Sequence, residues 1–214
     1  MLDITQCEDI LSLQAVLFII LYLQLSGELS QCHFYIGVAT RSAQRLGLHR
    51  SLSEIVIDNE TSNRLNPVEI ETRKRIFWAI YKLDTAISLQ LGLPTAIRDE
   101  DIVQEHLAEV DDKQITEHGI HATEGTGASG PSAANAHTNL VEIVRKIVKF
   151  VHPIRVGTNS GPSNLAVAYS VDETHLQMAR NQKVTSLKDE LQRWHDSLPS
   201  ELRPNGDAPI RQLR

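Results

Sequence analysis

The chain has 214 residues, 41% of them hydrophobic and 22% charged, which is room for one sizeable core in an ordinary globular protein. A net charge of -6 and a pI near 5.8 exclude a chain whose main work is phosphate neutralisation, because nucleic-acid-binding domains usually have a pI above ~9. Aromatic content is only 5%, so the core must come mostly from Leu, Ile, Val and Ala.

Two cysteines, Cys7 and Cys32, give neither a disulfide framework nor the paired-cysteine spacing of a zinc site. They read as reduced, buried thiols of an intracellular protein. The run Ile10 to Leu25 is almost wholly apolar. It is shorter than the ~20 apolar residues of a membrane span, and Gln14 and Gln24 interrupt it. Asp3, Glu8 and Asp9 precede it, where a signal peptide carries basic residues. A core helix from about Asp9 to Ser26 is expected, apolar on nearly every side and therefore in the middle of a bundle, with Gly27 as its stop.

A second helix is expected from Glu28 or Leu29 to Leu46. Gly37, Ala39, Ser42 and Ala43 inside it allow a neighbouring helix to come close. Gly47 can take the left-handed conformation that ends a helix, and His49 and Arg50 lie where positive charge suits the dipole. Ser51 to Leu65 is polar and irregular. Asn66 then opens a third helix as its cap, with Pro67 in the first turn and Glu69 three residues on. Ile70, Phe77, Ile80, Tyr81, Ile87 and Leu91 form its apolar stripe, Trp78 widens it, and Gly92 and Pro94 end it. Asp84 falls on the same stripe. A carboxylate there needs a partner, and Arg41 or Arg45 is the expected one, in a structural ion pair.

An acidic stretch, Asp99 to Asp112, is expected as a solvated turn. Lys113 to Thr138 is rich in Gly, Ser, Thr, Ala, His and Asn, as in a disordered or loosely held insert. A helix is expected from Leu140 to Val151, stopped by Pro153, then a loop from Arg155 to Tyr169. A last helix runs from about Asp172 to Ser197, with Leu187, Leu191, Trp194 and Leu198 on one face. No segment alternates with a period of two. The class is all-α, a multi-helix bundle divided as an N-terminal helical part (1–112), the insert (113–138) and a C-terminal helical part (139–214).

Three motifs carry a resemblance. The stretch Tyr35 to Ser51 is a small-residue helix ending in Arg45, Leu46, Gly47, Leu48, His49, Arg50. The run Glu71, Arg73, Lys74, Arg75, Ile76, Phe77, Trp78, Ile80, Tyr81, Leu83, Asp84 follows. Leu91, Gly92, Leu93, Pro94 then lead to Ile97, Asp99 and Asp101. In this order they resemble the middle homology region of fungal binuclear-zinc-cluster transcription factors, and Leu191 to Pro204 is similar to a downstream segment of that family. Within it, the first half looks most like regulators of drug-resistance and stress genes.

The resemblance implies a nuclear regulatory domain without catalysis that controls transcription and has no cofactor of its own. DNA contact and zinc belong to an N-terminal six-cysteine module of full-length relatives, which these residues lack, as in an excised region or a truncated gene product. Co-activator or repressor proteins and a small-molecule effector are the implied partners, and a membrane is not among them. A receptor domain for a xenobiotic or sterol is the alternative. Arg45, Leu46, Gly47, His49, Arg50, Arg75, Phe77, Trp78, Tyr81, Asp84, Gly92 and Pro94 are the structural signature.

The residues themselves supply few chemical candidates. His106, His118 and His121 lie near or in a Gly-rich segment with no scaffold for a metal. His49, Asp84 and Ser51 lack the elbow and oxyanion hole of a nucleophile system. Arg73, Lys74 and Arg75 are too few for a nuclear localisation signal, so Arg73 and Lys74 are expected on a solvated face and Arg75 against an acid. Ile102, Val103, Leu107 and Val110, set among acids, could meet a co-activator, with the plain solvated turn preferred.

Overall fold

The computed structural model describes residues 7–51, 66–121, 130–151 and 173–203. The irregular stretch expected after Ser51 and the loop expected from Arg155 to Tyr169 lie outside the described residues. Five α-helices are described: α1 (Ile10–Leu25), α2 (Leu29–Arg45), α3 (Pro67–Leu91), α4 (Gly130–Val151) and α5 (Glu173–Ser197). Among the described residues the chain is all-α apart from a hairpin of two two-residue strands, in which Ile115–Thr116 pairs antiparallel with Gly119–Ile120. No helix of the described residues is long and apolar enough to cross a membrane.

The helix ends follow local chemistry. Asp9 caps α1 by accepting the Ser12 amide at 2.7 Å. Asn66 caps α3 by accepting the Glu69 amide at 2.8 Å, with Pro67 in the first turn, where a missing N–H costs nothing. At Gly47 and Gly92, with φ of 70° and 67°, the chain turns left-handed and the following amide reaches back five residues: Leu48 to Ala43 and Leu93 to Ser88. An L side chain would be strained at either glycine.

The structure splits into two compact units, residues 1–138 and 139–214. In the first, α2 packs against both α1 and α3. It is α2, and not the more apolar α1, that occupies the middle. Ala39, Ser42 and Ala43 are buried there and small enough to let both neighbours approach. Gly37 contributes differently, because the space beside it is filled by the guanidinium of Arg41 from its own helix. Helix α1 buries only Leu13, Val16, Leu17, Ile20 and Leu23, and its opposite side stays exposed. Both cysteines are buried and outside any disulfide, and the Cys32 thiol points at the Ile20 carbonyl.

Within the stretch expected as an insert, the structure describes the hairpin and the first turns of α4, which begins at Gly130 rather than Leu140. Pro131 fits a first turn, and Ala133 and Ala134 favour continuing it. In the second unit, Leu187 and Leu198 are buried as the α5 stripe requires, whereas Leu191 stays 39% exposed. Lys146 of α4 pairs with Glu190 of α5. Removing the α3 cap by Asn66→Ala is expected to lower unfolding free energy by about 1 kcal/mol, read from urea denaturation followed by circular dichroism.

Candidate functional site

The signature residues converge where the segment after α3, residues 94–112, runs back along α3 and the C-terminal turn of α2. This segment is no solvated turn. Side chains of α3 fix it at successive points. The Trp78 indole N–H donates to the Glu105 carbonyl at 2.9 Å, and the Tyr81 hydroxyl donates to Asp99 at 3.2 Å. Glu71, buried on α3, accepts the Ala108 amide at 3.1 Å. Arg75 holds Asp112 at 2.6 Å, the acid pairing expected of it. Phe77 and Trp78 meet edge to face beneath, as do Trp78 and His106.

Asp84 starts this strap. Its carboxylate is 1% exposed and accepts the backbone amides of Ala96 at 3.0 Å and Ile97 at 3.1 Å, with the Ser88 hydroxyl at 3.5 Å. This corrects the expected tie to Arg41 or Arg45. Arg45 instead donates to the Cys7 carbonyl, and Arg41 folds over Gly37. The reason is position: Gly92 turns the chain through Pro94, and the first amides beyond it lie beside the carboxylate. Backbone N–H groups are strong, charge-assisted donors to such an acid.

The turn after α2 is the strap's second anchor. Gly47 turns Leu48 into the core, where it is fully buried. The Gln104 amide then donates to the carbonyls of Leu48 at 2.7 Å and Arg50 at 3.1 Å, while Val103 donates its own amide to the His49 carbonyl at 2.9 Å. Arg73 reaches across to the Leu46 carbonyl at 2.6 Å. Lys74 sits between Glu71 at 3.2 Å and Glu105 at 3.0 Å with its side chain 12% exposed. Neither residue is on the solvated face expected for it. The Lys74 ammonium and the Ser51 hydroxyl hold the Glu105 carboxyl below the usual carboxylate range.

Asn135 of α4 closes the strap by accepting the Leu107 amide at 3.1 Å and donating to the Leu107 carbonyl at 2.9 Å. Gln104 and Asn135 have no counterpart in the sequence reading. Each acts through an amide on backbone atoms far away in the chain, and no spacing marks such a residue.

The chemistry available here is cohesive. Ser51 donates to Glu105, and His49 Nδ1 is buried without a hydrogen-bond partner among the described residues, so it cannot link a serine to an acid. An open cleft of about 450 Å³ lies beside His49, lined by Gln44, Arg50, Glu100, Asp101 and Val103. Among the described residues no group of three or more His, Cys, Asp or Glu side chains could hold a metal ion. With both cysteines buried, these residues do not fit a zinc cluster.

The profile of the fungal specific transcription factor domain matches residues 2–196. The chain belongs to this family. It is 39% identical over 206 residues to the activator of stress genes protein 1 of Candida albicans, covering 95% of this chain and 20% of that protein. It is 38% identical over 208 residues to the activator of stress genes 1 of Saccharomyces cerevisiae, covering 97% of this chain and 19% of that protein. An ABC-transporter-regulating transcription factor of Aspergillus oryzae is 28% identical over 196 residues, covering 92% of this chain and 19% of that protein. The chain thus spans about a fifth of the length of these curated relatives. No solved structure matches it. The family and the names of these relatives are those of transcription regulators.

Two outcomes are expected of the site. Asp84→Ala strands the Ala96 and Ile97 amides and should cost about 3 kcal/mol, while Asp84→Asn keeps one acceptor oxygen and should cost roughly half as much; urea unfolding compares them. Burial, then the neighbouring Arg50 charge, push His49 below its ordinary value of 6.5, with Asp101 opposing. Its contribution to stability is therefore complete above that value and is lost as pH falls through it. The melting temperature of the wild type should fall more steeply below about pH 6.5 than that of His49→Gln.

Proposed function

We propose that this chain is the regulatory part of a fungal transcription activator for stress-response genes, acting in the nucleus. The carrying observation is the likeness to two activators of stress genes over almost the whole chain. The site supports this reading, since its polar groups are spent on holding the strap to α2 and α3. DNA contact and zinc fall to a separate module of the full-length protein. Co-activator or repressor proteins are the partners such a domain would need.

A small-molecule effector is the second reading, and the cleft beside His49 favours it in one form. Its rim of Gln44, Arg50, Glu100 and Asp101 suits a polar, charged compound better than a sterol. The twelve signature residues act in this reading as fold determinants that keep the regulatory domain assembled.

Transcript profiling of the source fungus under oxidative, osmotic and drug stress tests the proposal. Deleting the coding sequence should blunt induction of a defined set of stress genes, and Asp84→Ala at the native locus should reproduce that loss. An unchanged stress response in the deletion strain would overturn it.

A further inference from the structure

Residues 102–108 run without helix or strand along α3, and helix side chains grip them by the backbone. The Trp78 indole donates to the Glu105 carbonyl at 2.9 Å, and Glu71 accepts the Ala108 amide at 3.1 Å. Asn135 takes both backbone groups of Leu107, the amide at 3.1 Å and the carbonyl at 2.9 Å. A groove holds an extended peptide in this way, with main-chain hydrogen bonds for affinity and side-chain pockets for choice of sequence.

The choice of sequence is visible too. Leu107 is buried, Lys74 holds Glu105 at 3.0 Å, and Arg75 holds Asp112 at 2.6 Å. Residues 99–112 contain seven Asp or Glu and no Lys or Arg. The occupant that fits is therefore an extended segment with acids on both sides of a leucine.

Little apolar surface holds the strap down. Among its described residues from Arg98 to Asp112, Leu107 is the one buried apolar side chain, and Val103 is 49% exposed. The other ties are polar, and water replaces such ties at modest net cost. A segment held like this opens below the free energy of global unfolding. Opening begins beyond Ile97, which Asp84 keeps buried, so the helices stay packed while the strap leaves.

We infer that the face formed by Glu71, Lys74, Arg75, Trp78 and Asn135 is a binding site for an extended acidic peptide, which residues 99–112 fill in cis as an occluding strap. A partner segment of the same pattern enters when the strap opens. The inference is independent of the transcriptional reading, which stands if the tests below fail.

Hydrogen exchange of the wild-type chain tests the opening. The amides of Leu107 and Ala108 should exchange together, at least ~100-fold faster than that of Ile80 in α3. Strap amides as protected as Ile80 overturn the inference. Binding is read by fluorescence anisotropy with a labelled peptide of residues 99–112. Glu105→Lys sets a like charge against Lys74 and frees the strap, and this variant should bind the peptide at least ~10-fold more tightly than the wild type, whose site is occupied. Adding Asn135→Ala should weaken binding about 10-fold, since two hydrogen bonds are lost. Leu107→Asp opens the strap by a second route and should behave as Glu105→Lys does. No binding to a variant that keeps its helical circular dichroism overturns the inference. So does equal binding of a peptide carrying Leu107→Asp, which would show charge attraction alone. Loss of the helical spectrum in both variants overturns it as well, because the strap would then belong to the core.

Discussion

A carboxylate inside an apolar bundle has to find donors, and Asp84 finds them in the backbone that follows its own helix. The amides of Ala96 and Ile97 reach it only because Gly92 turns the chain left-handed and Pro94 prevents the helix from continuing. That contact fixes the direction in which residues 94–112 leave α3. Trp78, Tyr81, Glu71 and Arg75 then meet the returning segment at successive points along the helix. The strap is the sum of these contacts, and Asp84 sets its origin.

The other end of the strap depends on the turn after α2. Gly47 places Leu48 in the core, which leaves the carbonyls of Leu48 and Arg50 turned toward Gln104. The motif from Leu46 to Arg50 and the motif from Leu91 to Pro94 are therefore two copies of one solution, a glycine turn that leaves backbone groups for another segment to satisfy. The family's signature residues are where this is built. They pack this domain together, and the family it belongs to is that of fungal specific transcription factors.

Packing in the first unit is ordered by volume more than by hydrophobicity. The small residues Ala39, Ser42 and Ala43 put α2 between α1 and α3, although α1 is far more apolar. A helix at the side of a bundle buries only one face, so α1 is left with an outward face as apolar as its inward one.

The sequence by itself determined the helices and their ends. Asp9, Asn66, Gly47 and Gly92 act on backbone groups within five residues of themselves, so their roles could be read without a tertiary structure. It also determined the family, because the motifs occur in order along the chain. Only the tertiary structure decided which helix is central, what satisfies Asp84, and that the acidic stretch is a strap. Composition marks Asp99 to Asp112 as solvated, yet the stretch is held by Trp78 and Asn135, residues of helices on either side of it in the chain. Such contacts depend on where distant backbone carbonyls and amides come to lie. Every residue but proline carries the same backbone groups, so no residue pattern can announce them.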